Sequence, residues 1–437
     1  MNTNKTTLAL ALAIVMPAAF AQSSLTLYGN IDLGIDHVHK AQGNVQGTLF
    51  GLGAAGAVPN ALAAPSASIT RLTPSLSQQS YLGFKGTEDL GGGYATKVVL
   101  ESSLQGDNGQ VANDGRLFGR LAYVGLATPV GEFRLGRQAS PMLVAYYLNS
   151  VERIGSTDFM GAGIVVNNLQ TYQDNAITYI ASRQGWIGSL SYSPNAGVAS
   201  AVSSARAGAT ATTPSATAAT GQILGGLSAG AESNTLRGQT YGALLAWNGS
   251  PLTATLALHY NRFGVPSGIP TAAGGFVPLF QLRHYGSVMA GVKYRANEAG
   301  TLLAANVHAG RFATAGASDP RVLTYTVGVK HPVGAFSVGA EALVQRFTNF
   351  THGKDTGLML ALDYQLSART TLYSRAGVLR DRRGDIVRGE LTPLPLSGGP
   401  GSVLLPFGSV EIPTFSGAGS NMDAHTSIIS VGIRHAF

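Results

Sequence analysis

Cysteine is absent from the 437-residue chain, which excludes a disulfide scaffold and thiolate metal sites. Charge is scarce: Asp, Glu, Lys and Arg make up 12% of the residues, about half the usual share for soluble domains. Long hydrophobic runs are missing as well. A membrane-spanning helix needs roughly 18 uninterrupted apolar residues, and polar residues or glycine break every candidate stretch. A helical anchor is therefore excluded. A clustered basic face is also lacking. The formal charge is +7, but it is spread along the chain, with Arg380, Asp381, Arg382 and Arg383 as one small cluster. Nucleic-acid binders concentrate their charge on one face, so no nucleic-acid partner is expected.

What is present begins with an export signal. Lys5 supplies a positive start, Leu8 to Val15 is a short apolar run, and Ala19-Phe20-Ala21 has the small-x-small form of a cleavage site. This pattern predicts a cleaved signal peptide over residues 1–21 and a mature domain over 22–437. A secreted chain without a helical anchor is either soluble or a β-barrel, the other architecture that satisfies its backbone in lipid. The 57 glycines, with abundant Ala, Ser, Thr and Tyr, favour the barrel.

The hydropathy period is two. In Leu25-Thr26-Leu27-Tyr28-Gly29-Asn30-Ile31-Asp32-Leu33-Gly34-Ile35-Asp36, odd positions are apolar or Gly and even positions are mostly polar. Such alternation makes a strand with one greasy and one wet face. Sixteen segments read as strands, at about 24–39, 77–87, 94–104, 118–128, 132–138, 174–182, 186–194, 237–248, 251–262, 285–295, 301–312, 322–331, 335–348, 356–366, 369–380 and 426–437. Their connections alternate in length. Tight turns such as Pro129-Val130-Gly131, Arg183-Gln184-Gly185 and Pro332-Val333-Gly334 face long gaps at about 40–76, 105–117, 139–173, 195–236, 263–284, 313–321, 349–355 and 381–425. Short turns at one end and long loops at the other are the outer-membrane barrel pattern. The fold expected is an all-β, 16-stranded antiparallel transmembrane barrel. About 16 strands leave an aqueous lumen, whereas about eight would be filled by side chains.

Aromatic placement agrees. The 2 tryptophans, Trp186 and Trp247, each abut a short turn, and Trp favours the membrane interface. In the last segment Ile429, Val431, Ile433 and Phe437 share one face, which puts the terminal aromatic in the periplasmic girdle.

The chain resembles the trimeric general porins of Gram-negative bacteria. The resemblance is carried by LTLYGNIDLG from Leu25, YLGFKGTEDLGGG from Tyr81, RLAYVGL from Arg120, FRLGRQ from Phe133, DNAITY from Asp174, LSARTTLY from Leu366 and GIRHAF at the end. These motifs run in the family's order over nearly the whole mature chain. The resemblance implies a homotrimer of barrels in the bacterial outer membrane, among its lipid and lipopolysaccharide. It also implies an inward-folded third loop, and a water-filled channel for passive diffusion of ions and small hydrophilic solutes. A substrate-selective porin is the alternative.

In that family, loop acids face a ladder of basic residues across the narrow zone, and the opposed charges filter ions. Here the third gap supplies Glu152 and Asp158. Lys85, Lys97 and Arg120 stand opposite in parity to Phe84, Val98 and Leu121, with Arg134 and Arg137 as further basic candidates, of which parity allows only one on the inward face. Asp32 and Glu101 face inward by the same parity. A lipid-facing Lys or Arg near the bilayer midplane would cost roughly 2–4 kcal/mol. The family often has a base where Tyr81 stands and another where Tyr172 and Gln173 stand, so the ladder is thinner here. The third gap also lacks the family's Pro-x-Gly turn.

Other signals are discounted. Gly51-Leu52-Gly53-Ala54-Ala55-Gly56 fits a dinucleotide fingerprint without the helix and acidic residue that the chemistry needs. His37 and His39 share a strand face but have no third ligand. With no nucleophile elbow and no zinc motif, no enzymatic activity, metal or cofactor is expected. A barrel enzyme and a soluble adhesin are the competing classes.

Overall fold

The computed structural model describes residues 23–44, 63–111, 113, 116–152, 172–196, 238–270, 276–315, 319, 321–348, 351–386, 395–396, 399–400 and 424–437. The expected export signal, Asp158 and most of the expected long connections lie outside these residues.

Sixteen antiparallel strands close into a barrel. They are β1 (Ser23–Lys40), β2 in two arms (Ala67–Pro74 and Tyr81–Gly91), β3 (Tyr94–Gln105), β4 (Leu121–Thr128), β5 (Gly131–Ala139), β6 (Tyr172–Arg183), β7 (Trp186–Ser193) and β8 (Thr240–Asn248). Then follow β9 (Leu252–Pro270), β10 (Phe276–Arg295), β11 (Leu302–Ala315), β12 (Arg321–Val333), β13 (Phe336–Thr348), β14 (Thr351–Gln365), β15 (Thr370–Ile386) and β16 (His425–Ala436). Each strand pairs with its sequence neighbours, and β16 returns to β1 with Asn30 opposite Ala436 and Lys40 opposite Thr426. Closure removes the free edges that lipid could not hydrogen-bond. Gly29 and Phe437 exchange backbone hydrogen bonds of 3.1 Å in both directions at the foot of this seam.

Strand parity decides what meets lipid and what lines the lumen. Leu25, Leu27 and Ile35 of β1 are exposed outward, whereas Asn30, Asp32 and Asp36 are buried inward. Leu256 and Leu258 repeat the outer pattern on β9, Leu358, Leu360 and Leu362 on β14, and Ile429, Val431 and Ile433 on β16. The inner face is mostly Ser, Thr, Asn and charge.

Several strand boundaries differ from the sequence reading. The arms of β9 and β10 continue through much of the gap expected at 263–284. The second strand starts at Ala67, inside the gap expected at 40–76, and breaks between Pro74 and Tyr81. Leu33 pairs with Pro74 and Asn30 with Tyr81, so three steps along β1 face seven along β2. The surplus turns into the lumen, where Leu76 is fully buried against Val38, Leu343, Met359, Tyr373, Leu379 and Ile428.

A second inward element is helix α1 (Pro141–Asn149), at the start of the third connection. Ser140 caps it, accepting from the Leu143 amide at 3.0 Å, and Pro141 occupies its first turn, where a missing N–H costs nothing. Met142, Leu143, Ala145 and Tyr146 bury against inward residues Leu244, Ala246, Ala257, Met289 and Ala304 of β8–β11. The helix lies so close to the wall that a Cβ at Gly242 would sit 2.8 Å from the Pro141 ring.

Candidate functional site: the charged lumen

Inward positions of β2–β5 carry a column of cations backed by tyrosines. Lys85 lies over the Tyr28 ring at 5.2 Å, Arg134 over Tyr123 at 4.9 Å and Arg120 over Tyr81 at 4.6 Å. The negative ring face favours each cation. Two carboxylates interleave with them. Glu132 accepts from Lys97 Nζ and Arg134 Nε, each at 2.7 Å. Glu101 accepts from the Tyr28 hydroxyl at 2.7 Å and from Arg120 Nε at 3.0 Å. Among the described residues no carboxylate forms an ion pair with Lys85, which is the most open cation of the column.

Arg120 reaches the lumen for a reason other than parity. Strand β4 begins at Leu121, and its even positions, Val124 and Leu126, face outward. Arg120 precedes the strand and turns in, where its guanidinium also donates to Gln79 Oε1. Parity likewise does not separate Arg134 from Arg137. Between them Gly136 has φ +129°, and the register of β6 against β5 shifts between Gln173 and Ala176. Arg137 then donates to the Gly119 carbonyl at 2.7 Å and pairs with Asp174, which also binds Arg116 at 2.8 Å. The Tyr172 ring is shared, with Arg120 at 5.8 Å and Arg137 at 5.5 Å. Tyrosine thus stands at Tyr81 and Tyr172 as a cation platform where the family often has a base.

Glu152 follows α1, and its carboxylate is not directed at this column. It pairs with Lys330 of β12 at 3.1 Å and Arg375 of β15 at 2.8 Å. Asp363 of β14 pairs with the same two cations, each at 2.8 Å, so four charges of alternating sign close a square. Arg375 is 2% exposed. Its guanidinium also touches Ser77 Oγ at 3.4 Å, in the break of β2.

Asp32 faces inward and holds that same break. Its Oδ2 accepts from the amides of Ser77 at 3.1 Å and Gln78 at 2.7 Å, and its Oδ1 from the Tyr373 hydroxyl. It is fully buried and committed to structure.

The aromatic candidates sit at the short-turn end. Trp186 and Trp247 are cross-strand partners with rings 5.4 Å apart. Phe133–Tyr179 and Phe336–Tyr364 continue the band at 4.7 and 4.6 Å, and Phe437 is partly exposed beside the seam. His37 and His39 bond to Thr70 and Ser68 on the outer face, at 2.7 and 2.9 Å. Among the described residues no group of three side chains could hold a metal ion.

Sequence reasoning did not single out Glu132, Lys330, Asp363 or Arg375. Each has inward parity in its strand, so alternation could have marked it. Their convergence could not be read, because Glu152 and Arg375 are 223 positions apart.

The family profile described as Gram-negative porin matches residues 7–384. The chain is 36% identical over 184 residues to outer membrane porin protein 32 of Delftia acidovorans, covering 38% of this chain and 45% of that one. It is 35% identical over 184 residues to an outer membrane porin protein of Bordetella pertussis, covering 40% of this chain and 44% of that one. Each match therefore spans under half the relative's length. The fold superposes on an anion-selective porin from Comamonas acidovorans with TM-score 0.64 at 22% identity, covering 95% of this chain and 100% of that one. It also superposes on the trimer form of OmpT of Vibrio cholerae with TM-score 0.56 at 10% identity, covering 95% and 99%. With its closed barrel, wet inner face and family profile over most of its length, the chain belongs to the Gram-negative porin family.

Proposed function

We propose that this protein is an outer-membrane channel through which ions and small hydrophilic solutes diffuse passively, with a preference for anions. One observation carries the preference. On the inner wall of β2–β5, four cations (Lys85, Lys97, Arg120 and Arg134) face two carboxylates, Glu101 and Glu132, and Lys85 has no carboxylate partner among the described residues. Fixed charge of one sign in a narrow aqueous path raises the local concentration of the opposite ion. Of the loop acids, Glu152 is bound to Lys330 and Arg375 and adds little negative field, while Asp158 lies outside the described residues. The anion-selective porin from Comamonas acidovorans supports this reading by its fold alone.

The working unit is a homotrimer with outer-membrane lipid and lipopolysaccharide around it, and the protein acts as a conduit rather than a catalyst. Reversal potentials of single channels in planar bilayers under a salt gradient test the reading. Stepwise conductance with an anion-directed potential is expected. Absence of conductance would remove the channel, and a cation-directed potential would remove the anion preference.

A further inference from the structure

Arginine stacks on tyrosine more than once along the inner wall of β2–β5, and the stacks are not equally complete. The Arg120 guanidinium lies over Tyr81 at 4.6 Å and over Tyr172 at 5.8 Å, and its side chain is 10% exposed. Two rings close it in. Among the described residues the Arg134 guanidinium lies over Tyr123 alone, at 4.9 Å, and its side chain is 29% exposed. Tyr123 is buried, so the ring stands behind the guanidinium and the opposite face fronts the lumen.

What Arg134 offers a solute follows from what is already taken. Its Nε donates to Glu132 Oε1 at 2.7 Å, and the other oxygen of Glu132 accepts from Lys97 Nζ at 2.7 Å. That carboxylate repels a second one at the same edge. A guanidinium face, by contrast, attracts an aromatic ring, through the ring's negative face and through planar stacking. The open place on Arg134 therefore suits a ring better than a bare anion.

The neighbouring wall supplies the charge. Lys85 is exposed and has no carboxylate partner among the described residues. It is opposite Val99, two positions from Lys97, so the two lysines are diagonal neighbours on the inner face. Lys97 is opposite Gly125, and Gly125 is opposite Arg134. Gly125 adds no side chain to the passage. A Cβ there would sit 3.0 Å from Glu132 Oε1, so Glu132 lies low against the wall and leaves the space above it open. The strands of Lys85 and Arg134 are three spacings apart, about 14 Å at the backbone, and both long side chains reach inward over a concave wall.

We propose that this wall binds aromatic carboxylates in transit, with the ring stacked on the open face of Arg134 and the carboxylate held by Lys85 beside Lys97. The solute's ring takes at Arg134 the place that Tyr172 takes at Arg120. The proposal rests on the channel reading and narrows its solute class. Planarity is what it adds to charge. An aliphatic acid of equal charge meets the same lysines and gains no stack.

The test measures block of the chloride current through the full-length protein in planar bilayers. Benzoate is compared with cyclohexanecarboxylate, which has the same charge and a similar girth but no π face. The parent is expected to be half-blocked by benzoate at a roughly fivefold lower concentration. In Arg134→Lys, which keeps the charge and loses the plane, that ratio should fall to about one. In Lys85→Gln both acids should bind more weakly and the ratio should persist. Equal half-block by the two acids in the parent, or block by neither, would overturn the proposal without any variant. So would a ratio that survives Arg134→Lys. Absence of conductance would end the channel reading and this one together. A cation-directed reversal potential with the benzoate ratio intact would remove the anion preference and leave the aromatic site standing.

Discussion

Arg375 donates from Nη2 to Glu152 Oε2 at 2.8 Å, joining the fifteenth strand to the residue that follows the lumenal helix. Both side chains are almost fully buried, at 2% and 5% exposure. Removing one partner of a buried ion pair leaves its mate uncompensated, at about 3–5 kcal/mol. Lys330 still holds Glu152 and Asp363, so Arg375→Gln is expected to cost about 3 kcal/mol, the low end of that range. Glu152→Gln should cost less, and the double variant less than the sum. Urea titration of the folded barrel measures all three. Single-channel records should show added open-state noise in Arg375→Gln, because Glu152, just after α1, loses one of its two cationic partners among the described residues.

Gly242 sets how closely α1 approaches the wall. A Cβ there would sit 2.8 Å from Pro141 Cδ and 2.9 Å from its Cγ. Gly242→Val should destabilise by about 1–3 kcal/mol through overpacking. Because the helix must move toward the lumen axis, unit conductance should fall in the channels that do fold. Unchanged conductance would mean that the helix does not bound the ion path.

Lys85 and Arg120 separate field from structure. Lys85→Glu removes a cation that has no carboxylate partner among the described residues, so it should shift the reversal potential toward cations with little change in stability. The shift should be larger at about 0.01 M salt than at about 1 M, as the screening length grows from about 3 to 30 Å. Arg120→Ala should shift selectivity and also destabilise by about 3 kcal/mol, since it strands buried Glu101. Equal stability losses in the two variants would refute the distinction.

Asp32 holds the break in β2 through two backbone amides and the Tyr373 hydroxyl. Asp32→Ala leaves those donors buried without a partner, each costing about 1–3 kcal/mol. The fraction of heat-modifiable folded protein recovered on refolding should drop sharply. Asp32→Asn, which keeps one acceptor oxygen, should recover part of it.

The barrel was legible because its two solvents write themselves into the chain. Oil outside and water inside force alternation on every strand, so all sixteen could be placed from the pattern alone. Trp186 and Trp247 were readable as neighbours of tight turns, and the structure makes them cross-strand partners there. The break at 75–80 was not, because Ser77, Gln78 and Ser80 look like ordinary loop residues until Asp32 is beside them. Helix α1 carried a readable sign in Ser140-Pro141, a cap followed by a first-turn proline, which the length of the surrounding gap obscured. Glu152 was picked as an acid, but not its partners on β12 and β15, because alternation gives the face of a residue and says nothing of which distant strand stands across the lumen.

The seam between β1 and β16 unites segments some four hundred positions apart. No cylinder exists until the last strand has been made and has found the first. A sheet short of that closure has two raw margins, whose unpaired N–H and C=O groups are free to pair with other chains.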